Sequence, residues 1–231
     1  MALPRYALTE DILLCGPAAF LRRGRTLVIA DLHLGYEQAL LQKGILVPKT
    51  QFQQIRATMA SLLSQLRPET VVILGDVKHD FGGINEQEWR DTLRLLDLLQ
   101  QGRKVIVVEG NHDTALRPIL AKRGVSLVKS HAVGAYAFLH GDRELIVRSA
   151  KVLFIGHEHP AFTVRSGVRE ERFKCFVWAT WKRKKLLVLP SFHPLVEGSD
   201  VQGSRLGPLL RKARLRQCFV LGDRFYAFPA P

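Results

Sequence analysis

Short apolar runs alternate along the first two thirds of the chain with stretches whose apolar residues recur every three to four positions. LVIAD (27–31), VVILGD (71–76) and VIVV (105–108) read as short buried strands. Between them, Pro48 precedes a stretch with Phe52, Ile55, Met59, Leu62, Leu63 and Leu66 at helical spacing. Asn85 followed by Glu88 predicts a capping box, opening a helix whose Trp89, Leu93, Leu96 and Leu99 share a stripe. A further helix is expected near 114–123. From about residue 126 the pattern becomes strand after strand: SLVK, AYAFLH, VLFIGH, AFTV, CFVWATW, LLVLPS, QCFVLG and RFYAF. Strand–helix alternation followed by a strand-rich half predicts packed sheets with helices outside. No repeat, linker or low-complexity tract interrupts the pattern, and one domain over residues 1–231 is expected.

Polar residues collect where the apolar strands end. The first strand runs into Asp31-Leu32-His33, the second into Gly75-Asp76, and the third into Gly110-Asn111-His112-Asp113. Later runs end in His140-Gly141-Asp142 and Gly156-His157-Glu158-His159. Open α/β sheets place their sites at such carboxyl ends. Carboxylate and amide oxygens mixed with imidazoles suit manganese, iron or zinc better than calcium. Asp31, His33, Asp76, Asn111, His140, His157 and His159 are too many ligands for one ion. They suit two ions that share a bridging carboxylate.

Charge adds a second theme. Lys and Arg number 34 against 21 acids, for a net charge of +13 and a pI near 10.1. Such an excess favours a polyanionic partner. Between residues 163 and 216, 13 of the basic residues stand against four acids, so +9 of the net charge falls there. No apolar run approaches the roughly 20 residues of a membrane span. Glu10 and Asp11 fall where a signal peptide would be apolar, so a cytosolic protein is expected. Cys15, Cys175 and Cys218 lack CxxC spacing and read as small core residues.

Taken in order, DxH, GD, GNHD, a lone HG and GHxH across residues 31–159 resemble the calcineurin-like metallophosphoesterases. That resemblance implies a four-layer α/β/β/α sandwich, two mixed sheets flanked by helices, with two divalent ions at the strand ends. Asp31, His33 and His159 would hold one ion; Asn111, His140 and His157 would hold the other; Asp76 would bridge. Manganese is the first expectation, with iron or zinc as alternatives. His112 would contact the scissile phosphate and protonate the leaving oxygen, and Asp113 would orient His112. The family's GDxxD is replaced here by GDVKHD, with His79 at the second acidic position and Asp80 one place late. This form, with LHLGYE (32–37) and LPSFHPLVEGSD (189–200), is similar to the ligase-associated DNA-damage-response phosphoesterases, which are metal-dependent DNA endonucleases. The closer resemblance implies DNA, single-stranded or loosened, as substrate, and ligase, helicase or nuclease partners in repair.

Several residues keep two readings. His131 competes with His140 as the lone ligand, although His140 ends an apolar strand and directly precedes glycine. His79 and His193 are candidate phosphate contacts, and His193 equally suits packing beside Pro194. Glu37 reads as a surface or helix-entry charge. Lys182, Arg183, Lys184 and Lys185, with Arg211, Lys212 and Arg214, are expected to bind nucleic acid. Phe173, Phe176, Trp178 and Trp181 either stack on bases or alternate into the core. The competing functions are a phosphodiesterase or phosphatase for nucleotides and other small molecules, and a non-catalytic nucleic-acid docking module.

Overall fold

The computed structural model describes residues 3–145, 147–203 and 207–230; Arg205, one of the basic residues counted above, lies outside them. The first sheet runs, in both spatial and chain order, through β1 (Arg5–Ala7), β2 (Ile12–Cys15), β3 (Ala18–Leu21), β4 (Thr26–Ile29), β5 (Thr70–Ile73), β6 (Lys104–Val108) and β7 (Ser126–Val128). Pairing is antiparallel from β1 to β4 and parallel from β4 to β7. The parallel pairs need crossovers. These carry α1 (Tyr36–Gln42), α2 (Gln51–Leu66), α3 (Glu86–Leu99) and α4 (Arg117–Ala121).

The second sheet contains β8 (His131–Val133), β9 (Tyr136–Leu139), β10 (Val152–Ile155), β11 (Pro160–Ser166), β12 (Arg169–Trp181), β13 (Lys184–Val188), β14 (Ser199–Asp200), β15 (Arg214–Leu221) and β16 (Phe225–Pro229). Its spatial order is β14-β11-β12-β13-β10-β9-β8, with β15 added to β12 and β16 to β15. Within it, β9, β10 and β13 are parallel, and Leu139, Ile155 and Val188 lie abreast. In the first sheet the register places Ile29, Ile73 and Val107 abreast. Within each sheet, three adjacent parallel strands therefore end level with one another.

Alternation along each strand separates the layers. Leu27 and Ile29 face a core shared with Ile55, Met59, Leu62 and Leu63 of α2 and Leu95, Leu96 and Leu99 of α3. Val28 and Ala30 face the other way, into an inter-sheet core with Phe138, Phe154, Phe176, Leu187 and Phe219. A third core covers the outer face of the second sheet, where α5 (Pro208–Arg211) contributes Leu209 and Leu210. The fold is the expected α/β/β/α sandwich, although α5 makes its fourth layer thin.

Helix α2 buries the predicted stripe except Phe52, which is half-buried. In α3 the capping box is present, but the buried face comprises Glu88, Asp91, Thr92, Leu95, Leu96 and Leu99. Trp89 and Leu93 are only half-buried. The stripe is turned because Glu88 points inward, where its carboxylate accepts hydrogen bonds from the amides of His79, Asp80 and Asn85. Strands β1 to β3 and helix α1 carry no strong sequence signal. All three cysteines are buried and free. Among the described residues, no helix is long and apolar enough to cross a membrane.

The two sheets are also tied by Tyr136, whose hydroxyl donates to Asp11 Oδ2 at 2.7 Å. Phe138→Ala, which empties the inter-sheet core, is expected to cost about 3–5 kcal/mol in urea unfolding. Tyr136→Phe is expected to cost about 1 kcal/mol. A Phe138→Ala cost below that of Tyr136→Phe would show that the inter-sheet core does not hold the layers together.

Candidate metal centre

Five of the aligned strand ends deliver their polar residues to one place. From the first sheet come Asp31 and His33 after β4, Asp76 after β5, and Asn111 and His112 after β6; β9 supplies His140, and β10 supplies His157 and His159. Asp31, His33, Asp76 and His159 each place a ligand atom within 4.8 Å of the others, as do Asp76, His140 and His157. Asp76 belongs to both groups. Asn111 Oδ1 completes the second group, 2.9 Å from His140 Nε2 and 3.0 Å from His157 Nδ1. The grouping expected from the sequence is thus brought together.

The donor chemistry fits cations. His33 Nε2 and His159 Nε2 face one another at 3.2 Å, an arrangement of lone pairs that needs a proton or an ion between them. His140 Nδ1 lies 2.7 Å from the Leu74 carbonyl, so it carries the proton and leaves Nε2 free toward Asn111 and Asp76. Burial pushes the Asp76 carboxyl up to about 7, helped by the negative charges of Asp31 and Asp113 and opposed by His140. Burial also acts on Asp31, but His159, His140 and the His157 amide outweigh it and hold that carboxyl low. Burial and the surrounding imidazoles keep His33 well below the usual range, and burial with His140 brings His157 to about 4. His140 is the exception: burial lowers it, but Asp31, Asp76 and the Leu74 carbonyl outweigh burial and hold it above the usual range, so a metal must displace a proton there.

The backbone is bent to aim these groups. Asp31, His33, Asp76, His157 and His159 all have positive φ, between 41° and 65°. Asp and His tolerate this region better than most residues, yet each instance costs ~1–3 kcal/mol. Two glycines make room. A Cβ on Gly110 would lie 2.2 Å from Asp76 Oδ1, and one on Gly156 would lie 2.7 Å from Asp31 Oδ2.

His112 lies beside the ligands, with Nε2 3.9 Å from Asp76 Oδ2 and its amide donating to Asp76 Oδ1 at 3.0 Å. The expected partner for its ring is corrected. Nδ1 of His112 bonds the backbone carbonyl of His79. Asp113 is fully buried, and its two oxygens accept from the amides of Val77 (2.9 Å) and Gly110 (3.0 Å). It therefore holds two ligand loops together and does not orient the imidazole. His79 is at the site: its ring packs 4.6 Å from Tyr36 and 5.5 Å from His112, and one of its nitrogens lies within 4.8 Å of His33 and His112 donors.

His193 is not a phosphate contact. It is fully buried behind Tyr36, with Nε2 3.9 Å from Glu37 Oε2, and Glu37 is itself buried and bonded to Gln87 at 2.5 Å. His131 stacks on Phe138 in an edge strand and is not among the grouped donors. The sequence pattern missed Ser191, whose hydroxyl donates to the Asp31 carbonyl at 2.8 Å, and Lys174, whose ammonium donates to the carbonyls of Ser191 (2.9 Å) and His193. Only the LPSFHP run hinted at Ser191. Nothing in the basic, aromatic β12 run marked Lys174 as an internal cation.

The two basic stretches converge, but at the far end of the second sheet. Lys185 pairs with Val152, five residues before His157 along β10, a distance of roughly 16 Å at strand rise. Arg214 pairs with Thr180 at the same end. Glu144 clamps Lys182 and Lys212 at 2.8 Å each, and Lys184 bonds the carbonyls of Arg148 and Ala150. Arg183, Lys185 and Arg214 are exposed there, whereas exposed Arg211 lies one helical turn from Gly207, whose amide bonds Glu158 beside His157. Phe176 and Trp181 are buried, and Phe173 and Trp178 half-buried, so these rings serve the core.

A family model described as calcineurin-like phosphoesterase matches residues 24–206. No curated protein sequence matches the chain. Among solved structures the chain is similar to Pseudomonas putida nuclease MPE, at 19% identity over 98% of this chain and 100% of that chain, with a TM-score of 0.70. It also matches Yfce, a phosphoesterase from E. coli, at 14% identity over 89% and 99% of the two chains, with a TM-score of 0.46. At these identities the first match speaks for the fold.

Adding manganese to chelator-treated protein should raise the Tm, by the equivalent of about 2.7 kcal/mol at a hundredfold excess over Kd. Gly110→Ala, with its methyl against Asp76, should remove most of that rise while circular dichroism stays native. A full manganese-dependent rise in this variant would show that the placement of Asp76 does not control binding.

Proposed function

The chain belongs to the calcineurin-like phosphoesterase family, and on that premise we propose that it is a dimetal phosphodiesterase that hydrolyses DNA as an endonuclease. The observation that carries the reading is the sharing of Asp76 by two donor groups, with His112 alongside. Asp31, His33, Asp76 and His159 would hold one ion; Asp76, Asn111, His140 and His157 would hold the other. Manganese is the first candidate. When bound, such a pair supplies Lewis acidity and activates water.

The protein's own groups do the rest. His112 donates Nδ1–H to the His79 carbonyl, so in its imidazolium form Nε2–H is free to stabilise the phosphoryl oxygen and then protonate the departing oxygen. Asp113 keeps the Asp76 and Asn111 loops at a fixed separation through the Val77 and Gly110 amides. His79 orients His112 through its carbonyl and brings its ring to the same side of the site.

DNA as substrate is supported by the net charge of +13, by the likeness of GDVKHD and LPSFHPLVEGSD to the ligase-associated repair endonucleases, and by a shared fold with a protein named a nuclease. A role in repair follows from the same likeness. One observation favours a second reading, a nucleotide or other small phosphodiester as substrate: the exposed basic loops lie at the opposite end of the sheet from the donor groups.

A generic aryl phosphodiester should be hydrolysed with added manganese, and a protein inert toward it under all divalent ions would be a docking module. On DNA, log activity should fall steeply against log salt; a slope no steeper than that for the aryl ester would support the small-molecule reading. Asp76→Ala should lose bound metal and turnover together. His112→Ala should keep its metal and lose ~10²–10⁴-fold in turnover on unactivated diesters, with a smaller loss where the leaving group needs no proton. Equal losses on both would remove the acid role.

A further inference from the structure

We propose that Phe81 is a stacking platform for an unpaired nucleobase next to the scissile diester, which makes the site selective for nucleic-acid strands over simple phosphodiesters. The inference rests on the phosphodiesterase reading and names its substrate class. Phe81 belongs to the segment 80–84 between β5 and α3. Large apolar side chains on this protein are mostly internal, whereas Phe81 is 58% exposed. Its ring lies 3.6 Å from the His112 ring, centroid to centroid, at an interplanar angle of 35°. One face of the aromatic is thus spent on the imidazole beside the metal donors, and the rest of the ring is open to solvent.

The segment is anchored rather than free. Thr114 Oγ1 donates to the Phe81 carbonyl at 3.0 Å, and the preceding amides of His79 and Asp80 are held by the buried Glu88 carboxylate. Gly82 and Gly83 follow, and a Cβ on either would meet nothing within 4 Å, so the backbone next to the exposed ring is itself uncrowded.

A diester phosphate at the Asp76 donors and His112 would place its attached nucleoside within reach of this ring. A flat aromatic beside a phosphate site, on a protein of net charge +13, suits a base better than an acyl chain. Stacking accepts any base, and it requires that the base be unpaired. The platform would therefore favour single-stranded or loosened DNA without any hydrogen-bond readout of sequence.

The test compares two manganese-dependent substrates that share a leaving group: the p-nitrophenyl ester of thymidine 5′-phosphate and methyl p-nitrophenyl phosphate. Phe81→Leu should lower the preference for the nucleoside ester by roughly 5- to 100-fold, mainly through KM, and Phe81→Tyr should restore it. A second arm follows a thymidine-flanked 2-aminopurine trinucleotide with phosphorothioate linkages, whose fluorescence should be quenched on binding the metal-loaded protein and not on binding Phe81→Leu. An unchanged preference in Phe81→Leu, or equal losses on the two esters with quenching retained, would overturn the platform. If the parent protein turned over neither ester, the phosphodiesterase reading would fail, and the fluorescence arm would still decide whether Phe81 stacks on a base.

Discussion

Two buried carboxylates, Asp31 and Asp76, sit where the ends of two sheets meet, and most of the architecture around them follows from the cost of keeping them there. Isolated charges are expensive in such surroundings. Asp76 shows that cost: burial and the facing acids push its carboxyl up to about 7. Imidazoles from both sheets surround the pair, and amides of His112 and His157 bond the carboxylates directly. Those bonds alone leave the two histidine nitrogens of His33 and His159 facing each other. Divalent ions resolve both the charge and the facing lone pairs, which is why the same arrangement reads as a dimetal site.

Holding it together requires that loops behave as rigidly as strands. The loops after β4, β5 and β6 are pinned by buried side chains bonded to backbone. Asp113 joins the Asp76 loop to the Asn111 loop, Glu88 holds the His79 and Asp80 amides, and Ser191 links the end of β13 to Asp31. Lys174 is an internal cation bound to the same β13 loop, and burial lowers its ammonium to about 8. Asp31, His33 and Asp76, three of the five candidate ligands with positive φ, lie in these supported loops. A site made of strained residues on pinned loops has little geometry left to adjust when ions or substrate arrive.

The charge that sets this protein apart is arranged differently from the chemistry. Lys182 and Lys212 share Glu144, and Lys184 is bonded to carbonyls, so fewer free cations remain at the far end of the second sheet than the sequence lists. Surface ion pairs of this kind contribute little to stability. Exposed Lys185 and Arg214 stand at that end, roughly 16 Å along the strands from the donor groups. At the donor groups themselves the rim is aromatic: the His79 ring packs against both Tyr36 and His112, and Phe81 lies on the His112 ring.

The amino-acid sequence alone determined the alternation of strands and helices, the capping box at Asn85, and the set of polar residues that end the parallel strands. These are local: periodicity and the abrupt switch from apolar to ligand-type residues are visible in a few consecutive positions. The tertiary structure decided that Asp113 bonds two amides and not His112, that His193 is buried against Glu37, and that Glu88 turns the face of α3 inward. It also decided that the two basic stretches meet away from the ligands and that Phe81 covers His112. Such facts depend on which strand exits stand side by side, and that is set by the packing of whole sheets, not by any few consecutive residues. A side chain's type tells what it can bond, and only the neighbours brought to it by that packing decide what it does bond.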